Sequence, residues 1–92
     1  MEKLTQQLEG SINYQFHVNT HDKLGRLLTL IKLSKIRFED RVDRLEAYIT
    51  QRMPNNIVVR ARKNMIYANR AHIRLKSYYR QLLAQLITTK II

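Results

Sequence analysis

Apolar residues recur along most of this chain in alternating steps of four and three. From Leu24 the series runs Leu24, Leu28, Ile31, Lys35, Phe38, Val42, Leu45 and Ile49, broken only by the lysine. Such spacing returns repeatedly to one side of an α-helix, and it predicts a helical seam within residues 20–52. Thr20 and Asp22 supply N-terminal signals for that helix. Leu27, Leu30, Leu33 and Ile36 widen the stripe in its first half, which predicts deeper burial there. Ser34 offers a cap at which a new helix could start. A second series, Ala61, Met65, Ala68, His72, Leu75, Tyr79, Leu82 and Leu86, predicts another long helix over 57–88. Met53-Pro54-Asn55-Asn56 is the clear interruption between them. Proline disfavours the α conformation at Met53, and asparagine caps a following helix. Two long helices joined by so short a connection are antiparallel neighbours.

The first nineteen residues read differently. Leu4 and Leu8 suggest a short helix stopped at Gly10. Ile12, Tyr14, Phe16 and Val18 then alternate with Ser11, Asn13, Gln15, His17 and Asn19, and period two with aromatic and β-branched residues predicts a strand. With no second strand in view, that segment either pairs across a dimer or packs on the helices as an extended arm. The expected architecture is therefore a single predominantly all-α domain over 1–92. It has an N-terminal arm at 1–19, a first long helix at 20–52, a basic second helix at 57–88, and dimerisation to cover what two helices leave open.

Charge changes the picture more than composition does. Residues 1–50 carry eight Lys and Arg against all seven acids, whereas residues 51–92 carry nine bases and no acid. Solvated helix faces usually mix signs, because Glu–Lys pairs at i, i+4 support a helix. An acid-free basic helix repels itself until an anion offsets it. The lack of cysteine excludes disulfides, thiolate ligands and a cysteine nucleophile. No apolar run approaches the ~20 residues of a membrane span. The N-terminus lacks the layout of a secretory signal, so the chain reads as intracellular, whether cytoplasmic, nuclear or nucleoid-associated.

The candidate site lies on the second helix. Lys63, Tyr67, Arg70, Arg74, Tyr78 and Gln81 step by threes and fours beside the apolar seam, with Arg60 near their start. Arg62, Lys76 and Arg80, with Asn69, lie on the other flank. Arginines fork onto phosphate oxygens, and tyrosines stack on bases or contact sugars. The expected nucleic-acid-binding residues are therefore Arg60, Arg62, Lys63, Tyr67, Arg70, Arg74, Lys76, Tyr78 and Arg80. Arg37, Arg41 and Arg44 stand at helical spacing from Glu39, Asp40, Asp43 and Glu46, and read as surface ion pairs. His72 falls on the seam and reads as a core histidine. His17 and His21 are four apart, but no carboxylate or cysteine completes a metal set. No phosphate loop or nucleophile elbow is present. The expectation is a protein that is not an enzyme, with no cofactor, metal, membrane or small-molecule substrate. It would bind DNA or RNA through the sugar-phosphate backbone, as a homodimer or a nucleoprotein subunit. A helical scaffold binding acidic protein partners is the alternative.

Two resemblances bear on this. A polar–apolar strand followed by two helices resembles the ribbon-helix-helix repressors. That likeness implies Asn13, Gln15 and His17 facing the major groove, and an inter-helix turn at Leu33-Ser34-Lys35. The family's glycine before that turn is Lys32 here, and the long third helix has no counterpart. The hairpin with one basic face is also similar in architecture, though in no shared motif, to viral B2 double-stranded-RNA binders and small helical CRISPR effector subunits.

Overall fold

A computed structural model describes the backbone from Glu2 to Ile91 and the side chains of residues 18–88. Two α-helices make up that backbone: α1, Glu2–Thr50, and α2, Asn55–Ile91. They pack lengthwise as an antiparallel hairpin whose Cα trace measures 75 × 16 × 16 Å. The all-α hairpin is thus as expected. The strand is not: residues 11–19 continue α1, Gly10 does not stop it, and there is no strand among the described residues. Alternation over a few residues competes with helix continuity, and a lone strand would have left its backbone groups unpaired where a helix pairs them internally. The side chains of Leu4, Leu8, Ile12, Tyr14 and Phe16 lie outside the described residues, as does that of His17. Ser34 does not restart the helix either; its hydroxyl donates back to the Ile31 carbonyl at 2.8 Å, within an unbroken α1. The ribbon-helix-helix likeness therefore lacks both its strand and its turn.

The turn has a definite chemistry. Arg52 adopts a left-handed backbone with φ of 55°. The Arg52 N–H donates to the Ile49 carbonyl at 3.1 Å and the Met53 N–H to that of Tyr48 at 2.9 Å. This is a Schellman closure, with arginine where glycine is the common choice. Pro54 then supplies the first carbonyl of α2, accepting from the N–H groups of Ile57 and Val58. Asn55 and Asn56 are accordingly the first helical residues, not the cap.

On α2 the buried and half-buried side chains coincide with the expected seam from Ala61 to Leu86. On α1 the inward set is Thr20, Leu24, Leu27, Ile31, Ser34, Phe38, Arg41, Leu45 and Tyr48. Four of the expected positions hold (Leu24, Ile31, Phe38 and Leu45), Val42 is half-buried beside Arg41, and Leu28, Lys35 and Ile49 give way to Leu27, Ser34 and Tyr48, each one residue earlier. Leu28 is 42% exposed and Ile49 53%, and Lys35 is exposed. Hydrophobicity alone cannot separate the two seams, since both steps of the pattern pass through leucine at 27 and 28. Polar chemistry separates them: burying the Lys35 ammonium is costly, whereas Ser34 meets a partner. The Ser34 Oγ lies 2.6 Å from the Nδ1 of His72, and both residues are buried. The two contacts are compatible when the serine hydroxyl donates to the Ile31 carbonyl and accepts from Nδ1–H.

This pair sets the register. Antiparallel helices rise equally per residue, so positions whose numbers sum as Ser34 and His72 do lie level. Leu24 then faces Leu82, Ile31 faces Leu75, Phe38 faces Ala68, and Leu45 faces Ala61. Towards the turn, large residues of α1 oppose alanines of α2, which lets the backbones approach. Leu30, Leu33 and Ile36 do not deepen the core; they are largely exposed. No side chain among the described residues is completely buried, so the hairpin closes one seam and leaves both of its flanks open.

Candidate nucleic-acid interface

The two flanks differ in shape and chemistry. On one, side chains of both helices border a series of hollows. Nearest the turn is a cleft of about 270 Å³ lined by Arg41, Arg44 and Tyr48 of α1 and by Asn56, Ile57, Arg60, Ala61 and Asn64 of α2. It continues into a second hollow bounded by Arg37, Arg41, Asn64, Tyr67, Ala68 and Ala71. Towards the far end a third lies between Lys23, Arg26, Leu27 and Leu30 on one side and Tyr78 and Leu82 on the other. Arg74 stands seven residues after Tyr67, two turns along the same column of α2, and is exposed. Tyr67 and Tyr78 are 60% and 55% exposed, so their rings are presented to solvent and not spent on the seam.

Of the nine expected residues, the structure places Arg60, Tyr67, Arg74 and Tyr78 along this grooved flank. Lys63 and Arg70 project from the outer side of α2 beside it. Arg62, Lys76 and Arg80 belong to the opposite flank, with Lys76 and Arg80 around a shallow hollow that includes Ile73 and Ser77. The nine residues therefore do not form one surface.

No family model matches the chain, and no curated protein or solved structure matches it either.

What sequence reasoning missed is the contribution of α1. Arg37, Arg41 and Arg44 face Arg60, Asn64 and Tyr67 across the groove. Nor are they neutralised one by one. Asp40 alone serves two of them, accepting from Arg41 Nη1 at 2.7 Å and lying 3.3 Å from Arg44 Nε. Arg37 makes no ion pair among the described residues, and neither do Glu39, Asp43 and Glu46. Glu39, Asp43 and Glu46 lie away from the groove, on the back and opposite side of α1. A signal for this was available: 27, 34, 41 and 48 carry the seam, so 37 and 44 border it on the same side as Arg41. Seeing it required choosing the right one of two adjacent columns.

The arrangement offers cations, a phenol ring and amide groups around one cleft. Among the described residues no cluster of His, Asp or Glu could hold a metal ion. No described helix is long and apolar enough to cross a membrane.

Proposed function

We propose that this protein binds nucleic acid non-catalytically, with its grooved flank laid along a sugar-phosphate backbone. The observation that carries the reading is the convergence of Arg37, Arg41 and Arg44 with Arg60 and Asn64 across one groove, against a single acid, Asp40. Guanidinium groups fork onto phosphate oxygens, and the exposed Tyr67 and Tyr78 add ring faces for sugars or unpaired bases. From Arg60 to Tyr78 the column runs about 27 Å at 1.5 Å per residue, the length of roughly eight phosphates along one strand of a duplex. Such contacts position a backbone without reading bases, so affinity is expected to vary little with sequence. Dimerisation belongs to the same proposal, because one hairpin exposes more large apolar residues than a small monomer usually does. An intracellular site of action follows from a nucleic-acid ligand.

The competing reading is a scaffold that binds acidic protein partners. Competition separates the two. Fluorescence anisotropy with labelled duplex RNA, duplex DNA and single strands should show binding that unlabelled nucleic acid displaces and a poly-glutamate peptide of equal charge does not. Displacement by the peptide at equal charge concentration would favour the scaffold.

A further inference from the structure

On the flank opposite the groove, α2 carries a column of β-branched residues at heptad spacing: Val59, Ile66, Ile73 and Ile87, interrupted only by Arg80. Ile66, Ile73 and Ile87 are 38%, 56% and 52% exposed. Scattered surface leucines need no explanation, but a seven-residue repeat beside an existing seam is the pattern by which helices pack. We propose that this flank is where a second copy of the chain docks, back to back, so that two hairpins form a four-helix assembly with a groove on each outer side.

Charge distinguishes this flank from the grooved one. Here α1 contributes Glu39 and Glu46 beside Lys35, and α2 contributes Arg62, Lys76 and Arg80, so both signs are present, with the acids grouped towards the turn. By the register set at Ser34 and His72, Arg62 falls between the levels of the two glutamates. A two-fold axis along the rod lays α1 of one copy over α2 of the other, which brings those acids to the partner's Arg62 twice over. The groove flank also has apolar residues, at Leu27, Leu30 and Tyr78, but they are edged by Lys23 and Arg26 with no acid nearby, so two copies would meet there as like charges. Size agrees as well: Val59 to Ile87 spans about 42 Å at 1.5 Å per residue, and across a trace 16 Å wide that strip approaches the roughly 800 Å² per partner of specific interfaces.

This inference rests on the dimer reading and not on nucleic-acid binding, so its test is done without nucleic acid. Sedimentation equilibrium of the full chain at tens of micromolar should give a dimer. Ile66→Asp with Ile73→Asp should give a monomer that keeps its helical circular dichroism, whereas Leu33→Asp, outside the docking flank, should leave the dimer intact. Should the double variant fail to fold, Arg62→Glu supplies the test. It should weaken dimerisation about tenfold, and Glu46→Arg added to it should restore it. A monomeric wild type overturns the dimer reading and this face together. A dimeric wild type that stays dimeric in the folded Ile66→Asp/Ile73→Asp variant, or in Arg62→Glu, overturns this face alone. None of these results bears on the phosphate-binding groove.

Discussion

Ser34 and His72 do more for this molecule than their size suggests. Both are buried polar residues of the seam, and they satisfy each other at 2.6 Å. Removing one partner leaves a buried donor or acceptor stranded, while removing both need not. Ser34→Ala should therefore lower stability by about 1–3 kcal/mol, and Ser34→Ala with His72→Leu should recover most of that loss. Urea unfolding followed by circular dichroism checks both. A double variant no better than the single one would show that the pair is not the cause. Asp40 presents the converse case. It holds Arg41 and Arg44 at the mouth of the groove, so it competes with any phosphate for them. Asp40→Asn should tighten nucleic-acid binding several-fold at low salt, with little effect on folding, because exposed ion pairs contribute at most about 1 kcal/mol. Weaker binding in that variant would mean that Asp40 orients the arginines and does not compete for them. At this scale the sequence showed which residues were charged but not how one carboxylate is shared between two guanidinium groups.

Helix α2 was legible nearly residue by residue, from Ala61 to Leu86, since two adjacent columns there step together by fours and threes, whereas the apolar column at Val59, Ile66 and Ile73 is bordered by Arg62, Asn69 and Lys76. Helix α1 was legible as a helix but not in its rotation. Leucines at 27, 28, 30 and 33 populate several columns, and hydrophobic pattern cannot rank them. The decision falls to the lysine at 35 and the serine at 34, a choice that depends on what α2 presents opposite. The N-terminal segment shows a different limit. Its alternation at Ile12, Tyr14, Phe16 and Val18 satisfied a strand pattern, yet a helix already running from both sides makes further helical residues inexpensive. Gly25 offers a direct handle on α1. It is exposed, helical, and a Cβ built there meets nothing within 4 Å. Gly25→Ala should raise stability by about 0.5–1 kcal/mol through helix propensity alone, seen as a higher thermal midpoint with nucleic-acid binding unchanged. A lower midpoint would imply that this stretch of α1 faces a partner closely.

For the whole molecule, the charge asymmetry between the halves was plain in the sequence, but its meaning altered once the helices were placed. The second half is acid-free, yet its bases point to both flanks of the rod and outward between them. The surface with the strongest case is instead built by both helices, with arginines of the acid-bearing half supplying one wall. Sequence order separates Arg41 from Arg60, and the hairpin brings them to one cleft. Net charge and site are therefore distinct, and this difference makes the account testable. The measurement is the dependence of duplex-RNA affinity on salt, by anisotropy, for wild type and two variants that each lose two positive charges. Arg37→Ala with Arg60→Ala takes one arginine from each wall of the groove, whereas Lys76→Ala with Arg80→Ala removes equal charge from the far flank. If the groove holds the backbone, the first pair should lower the slope of log K against log salt by about two units and weaken binding to all sequences alike. The second pair should leave the slope nearly unchanged. Equal losses from both pairs, with folding intact, would contradict the account, for binding would then follow total charge and no defined face.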